Sequence, residues 1–102
     1  METIILPKPA YNVLRRLTGE SRPDVALSLA LKDLVRLKLQ DAQRSISAYE
    51  QKYQMPFSIF DEKWHRGEIK DKHSYLVEQD FLDWEAAQTD VKSLEELSEW
   101  MA

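Results

Sequence analysis

Four sets of side chains have the types and spacings that chemistry requires, and each selects a different kind. His65 and His73, with Asp61, Glu62, Glu68 and Asp71 around them, supply the donors of a divalent-metal site. The two imidazoles are eight residues apart across Gly67, however, and no i, i+3 or i, i+4 histidine pair exists to seat an ion on one helix face. Carboxylates are plentiful, but none stands with a Ser or His in a recognisable catalytic arrangement, and the chain lacks a Gly-rich phosphate loop and a G-x-S-x-G turn. No enzymatic activity, metal, cofactor or small-molecule substrate is therefore expected. Lys8, Arg15, Arg16 and Arg22 form the densest basic group, suited to phosphates or simply to solvating a helix surface. The fourth set is aromatic: Tyr53, Phe57, Phe60, Trp64, Tyr75, Phe81, Trp84 and Trp100 crowd the region after Tyr49.

These groups are carried by helices. From Pro23 to about Tyr53 the chain has no Gly and no further Pro, and its interior is Ala, Leu, Lys, Arg and Gln, which predicts one long helix with Asp24 or Ser21 capping its start. At 1.5 Å per residue it spans roughly 45 Å, more than the width of a compact domain of this length, so it must project or pair. Its first half is apolar nearly all round, including Leu27, Leu31 and Leu34. From Val35 onward Leu39, Ala42, Ile46, Tyr49 and Tyr53 follow at spacings of 4, 3, 4, 3 and 4, the signature of a two-helix seam. A chain of 102 residues that spends nearly a third of itself on one helix gains most cheaply from dimerisation. Leu27, Leu31, Leu34, Val35, Leu39, Ala42, Ile46 and Tyr49 are the expected dimer contacts.

Ahead of this helix, Glu2 to Pro7 reads as a short strand or arm, and Lys8 to Thr18 as an amphipathic helix stopped by Gly19. Strand, helix, Gly-containing turn and a second helix with an arginine at its start is the order of ribbon-helix-helix repressors. The resemblance implies a dimeric ribbon offering Thr3 and Ile5 to the major groove of operator DNA, with Lys8, Arg15, Arg16 and Arg22 on phosphates. Thr3 and Ile5 share only one hydrogen-bonding side chain, poor equipment for reading bases. After Tyr53, Met55-Pro56 breaks the chain, and Phe57, Phe60 and Trp64 lie on a short helix ending at Gly67. Ser74 caps another helix bearing Val77, Phe81 and Trp84. Ser93-Leu94-Glu95-Glu96 has the spacing of a capping box, so two or three short helices are expected in all.

Charge divides the chain in the same place. Residues 1–55 carry a balance of +3 and residues 56–102 one of −7, making the net −4. The front half suits a phosphate backbone and the back half a basic protein. Phe57, Phe60 and Trp64 suit a fold-back onto the long helix, because Met55-Pro56 reverses the chain. Phe81 and Trp84, with their acidic flanks, suit a partner. Cysteine is absent, no apolar run approaches a membrane span, and the first ten residues lack the pattern of a signal peptide, which points to a soluble, cytoplasmic protein.

The segment Lys52-Tyr53-Gln54-Met55-Pro56-Phe57, through Phe60, Trp64, Gly67-Glu68-Ile69, Asp71, His73-Ser74-Tyr75, Val77-Glu78 and Asp80-Phe81 to Asp83-Trp84-Glu85, resembles a pattern of small prokaryotic type II antitoxin-like proteins. It departs from that pattern at Gln54, where Gly is usual, and at Pro56, where a small polar residue is common. The resemblance covers about a third of the chain. It implies a mainly α protein in which residues 1–54 dimerise and contact operator DNA while residues 55–102 neutralise a basic toxin through Phe57, Phe60, Trp64, Tyr75, Phe81, Trp84 and Glu85. The rival expectation is a self-contained helical oligomerisation or scaffold protein whose aromatics are all core. A third is a DNA-binding repressor without a protein ligand.

Overall fold

The computed structural model describes residues 5–101, which form four helices: α1 (Lys8–Thr18), α2 (Pro23–Tyr53), α3 (Phe57–His65) and α4 (Tyr75–Trp100). There is no strand among the described residues. Thr3 and half of the expected strand lie outside them, while Ile5, Leu6 and Pro7 are described and form no strand, Ile5 standing exposed ahead of α1. No helix of the described chain is long and apolar enough to cross a membrane.

Local chemistry sets the boundaries. Gly19 closes α1 at φ 73°, in the left-handed region that costs an L side chain energy, and its N–H donates to the Arg15 carbonyl. Thr18 Oγ1 donates to the Leu14 carbonyl and accepts from the Glu20 N–H, tightening the turn. The Tyr11 hydroxyl reaches across to the Ser21 carbonyl at 2.6 Å and fastens α1 to the start of α2. The N-cap of α2 is neither Asp24 nor Ser21 but Arg22, which makes no side-chain cap and instead pairs with Asp24 at 3.0 Å. At the other end Gln54 adopts φ 57° and Pro56 redirects the chain, its carbonyl accepting from the Phe60 N–H as α3 begins. Ser74 caps α4 as expected, its Oγ accepting from the Val77 N–H.

Two expectations are corrected. The tail after Ser74 is one helix of 26 residues rather than two, and Ser93 lies inside it. Thr89 satisfies its hydroxyl within the helix, on the Glu85 carbonyl, while the half-buried Val91 and Leu94 continue the stripe of the buried Trp84 and Ala87. Packing along that stripe outweighs the capping-box signal. The seam from Val35 to Tyr53 is likewise real but intramolecular. α4 runs antiparallel along it, with Tyr53 beside Asp80, Tyr49 on Trp84, Ala42 facing Ala87, and Val35 and Leu39 facing Ser98 and Met101. Val35, Leu39, Ala42, Ile46 and Tyr49 are thus covered by the chain's own last helix, whereas Leu31 and Leu34 stay about half exposed.

The molecule measures 56 × 23 × 19 Å, with a radius of gyration of 19.4 Å, against about 13 Å for a compact chain of this length. Its aromatic core occupies one end. At the other end Ala26 is the buried residue, under α1.

Candidate partner-binding surfaces

The aromatic residues separate into two groups once the helices are in place. Phe60 and Trp84 are fully buried and Phe81 nearly so, in a cluster walled by Ile46, Tyr49, Tyr53, Met55, Phe57, Trp64 and Ile69. Trp84 is the hub: its ring lies 5.0 Å from Phe60, 5.3 Å from Phe57, 5.7 Å from Tyr49 and 5.8 Å from Tyr53, centroid to centroid. Phe81 stacks on Trp64 at 4.4 Å, nearly parallel. The expectation that Phe81 and Trp84 face a partner is therefore corrected. On α4 these two positions point at α2 and α3; of their acidic flanks, Glu78, Asp83 and Glu85 are on the exposed helix surface, while Asp80 is partly buried against α2. Ile69, read as part of a polar connection, also packs on the cluster.

One polar contact pins α4 to the end of α2. The Tyr53 hydroxyl donates to Asp80 Oδ2 at 2.6 Å, and Lys52 Nζ donates to the same oxygen. Burial pushes the Asp80 carboxyl upward, but the two donors and the lysine charge outweigh it and hold the group below its ordinary value. Tyr53 moves the other way, raised first by burial and then by its bond to Asp80. Tyr49 is raised by burial and by the charges of Asp83 and Asp80. The arrangement joins helices: Lys52 and Tyr53 at the end of α2 converge on one oxygen of Asp80 on α4. Trp84 Nε1 is buried without an acceptor.

What remains free on α4 is its outer face. Tyr75 is 76% exposed and Trp100 83%, with Leu76, Leu82 and Leu97 also exposed. Tyr75, Leu82 and Trp100 fall on one side at 100° per residue, bordered by Glu78, Glu85 and Glu96. Across residues 75–100 only Lys92 is basic, against Glu78, Asp80, Asp83, Glu85, Asp90, Glu95, Glu96 and Glu99. Of the residues expected to bind a partner, Tyr75 and Glu85 are here, while Phe57 and Trp64 are half-buried in the core wall. Leu82 and Trp100 were not singled out as partner contacts, although their spacing from Tyr75 would have placed them on its face.

Two further surfaces flank α2. Arg15, Arg16, Gly19, Glu20 and Ser21 line a shallow concavity at the α1–α2 turn, with Arg22 exposed beside it. Between α2 and α4 runs an open groove of about 460 Å³ lined by Lys38, Asp41, Ala42, Ser45, Asp83, Ala86, Ala87, Asp90, Ser93 and Leu94. The histidines are apart and exposed: His65 Nδ1 faces the Asp61 carbonyl at 2.8 Å and its carboxylate at 3.2 Å, and His73 lies 3.9 Å from Glu78. Comparison with protein-family profiles, with curated proteins and with solved structures returned no match.

Proposed function

We propose that this chain is an antitoxin, a dimeric and non-catalytic protein that neutralises a basic toxin by holding it against the outer face of α4. One observation carries this reading: Tyr75, Leu82 and Trp100 stand exposed on one side of a helix that is otherwise lined with carboxylates. Large apolar groups cost free energy in water, and aromatic anchors within a charged rim are the usual composition of a binding surface. The acidic rim supplies the attraction to a basic partner and accelerates encounter. The antitoxin-like segment ends on this face, at Tyr75, Glu78 and Glu85. The buried Phe81 and Trp84 serve it indirectly by fixing how α4 is presented.

The test is neutralisation in cells. A basic protein that co-purifies with this chain from its host is expected to arrest growth when expressed alone, and co-expression of the chain to restore growth. The double variant Tyr75→Ala, Leu82→Glu keeps its helical circular dichroism, because neither residue is in the core, but no longer rescues. Equal rescue by the variant would remove the outer face of α4 from the reading. No rescue by the unaltered chain would remove the antitoxin. The alternative, a self-contained helical oligomerisation protein, is favoured by the complete burial of Trp84 and Phe60 in the free chain; under it the double variant is without effect in any assay of a partner.

A further inference from the structure

α2 carries a second stripe with the spacing of a helix seam, and the described residues leave it only partly covered. Leu27, Leu31, Leu34, Lys38, Asp41 and Ser45 follow at intervals of 4, 3, 4, 3 and 4, parallel to the seam that α4 occupies. The first three are apolar, with Leu31 45% and Leu34 50% exposed. The last three are polar and form one wall of the acidic groove, whose other wall brings Asp83 and Asp90. An apolar segment that continues directly into a carboxylate-lined channel requires an occupant with the matching sequence of properties.

The chain itself has that sequence of properties. Moving from Leu31 toward the N-terminus, the stripe passes Leu27 and reaches Asp24, which pairs with Arg22 at the α1–α2 turn whose concavity Arg15 and Arg16 line. Asp24 and Lys38, of opposite charge and on the face of the stripe, are each seven residues from Leu31. A twofold axis near Leu31 therefore sets Lys38 of each copy against Asp24 of the other. A parallel pair would instead set Asp24 against Asp24 and Lys38 against Lys38. We infer that two copies of this chain pair antiparallel along the Leu27–Leu31–Leu34 stripe, so that the basic α1–α2 turn of each lies over the acidic α2–α4 groove of the other. The opposite charges of residues 1–55 and 56–102 are then satisfied between copies. This deepens the dimeric part of the antitoxin reading and is tested on the isolated protein, where a toxin plays no part.

The chain has no cysteine, so introduced thiols are unique. Ser21→Cys and Ser45→Cys are prepared separately, both at exposed positions that keep every charge, and treated with a short bismaleimide singly and as a mixture. Antiparallel pairing yields cross-linked dimer only in the mixture, because like positions are then about 30–40 Å apart at 1.5 Å per residue. Cross-linking of each variant alone signifies a parallel pair and overturns the inference, as does a monomer by sedimentation with no cross-linking in any sample. Leu31→Glu, at a half-exposed site, retains helical circular dichroism and abolishes the mixed cross-link. Its persistence at undiminished yield would mean that the stripe is not the contact and would likewise overturn the proposal.

Discussion

Trp84→Ala separates a chain that is folded by itself from one whose tail is ordered by a partner. Trp84 is fully buried and in ring contact with Tyr49, Tyr53, Phe57 and Phe60. Truncating a large buried aromatic costs about 3–5 kcal/mol, and each aromatic pair adds about 0.5–1.5 kcal/mol beyond area. The four pairs share one ring and do not add independently, so a loss of about 5 kcal/mol is expected, comparable with the whole stability of a small domain. Trp84→Phe behaves differently. It keeps a ring in the cluster and removes the Nε1–H that has no acceptor, a group whose burial costs about 1–3 kcal/mol, so the lost volume is largely offset and the net change stays within about 1 kcal/mol. The assay is urea unfolding followed by far-ultraviolet circular dichroism at one protein concentration, since association shifts the midpoint. A cost below about 1 kcal/mol for Trp84→Ala, or equal costs for the two variants, would refute the reasoning: α3 and α4 would then not be packed on α2 in the free protein.

Four further outcomes follow from single contacts. Asp80 is held below its ordinary value in the folded chain, so its contribution is complete above the usual carboxylate range and is lost as pH falls through the lowered value; Asp80→Asn removes that acid-side component of a thermal-melt series. Tyr53 is raised, so its contribution is complete below about pH 10, the ordinary tyrosine value, and is lost as pH rises beyond it. Tyr53→Phe flattens the alkaline limb, and absorbance titration shows its phenolate forming last. Gln54→Gly raises stability by about 1 kcal/mol, because a left-handed residue with a side chain carries a penalty of that order, reduced by the lost Gln54 Nε2 to Gln51 carbonyl bond. Ser74→Ala, lacking the acceptor for the Val77 N–H, lowers stability by about 1 kcal/mol, read as an earlier urea midpoint.

Wherever a boundary is set by local chemistry, it is legible in the sequence. Gly19, Pro23 and Met55-Pro56 stop or start a helix through the backbone and Ser74 through its side-chain cap, and all four helices begin within a residue or two of the expected positions. The departure at Gln54 from the glycine of the antitoxin-like pattern is legible too, since φ there is 57°. The destination of an apolar face is not local. Phe81 and Trp84 have the same neighbours in sequence whether they face α2 or a foreign protein. The carboxylates beside them do not decide between the two: Asp83 and Glu85 lie on the exposed surface of the helix, and Asp80 turns to Tyr53 and Lys52 of α2. The outer face of α4, by contrast, becomes visible only when Tyr75, Leu82 and Trp100 are placed on one uninterrupted helix.

That last point explains the misassigned dimer seam as well. Two stripes on α2 share the 4-3-4-3-4 spacing, and spacing alone cannot say which the chain keeps for itself. Length can. A returning helix that meets Tyr53 at Asp80 and runs antiparallel covers about one residue of α2 for each of its own beyond Asp80. Broken at Ser93, it reaches only the middle of α2 and leaves Val35 and Leu39 for another chain. As the unbroken Tyr75–Trp100 it reaches Val35 and the edge of Lys32, as the contacts of Ser98 and Met101 require. The region before Lys32, with Leu27 and Leu31, is then beyond the reach of any described part of the same chain except α1, which lies on the face of Ala26. The energetic need for a second molecule is thus confined to the front third of α2, where the apolar face is short and charge must fix the orientation of whatever covers it.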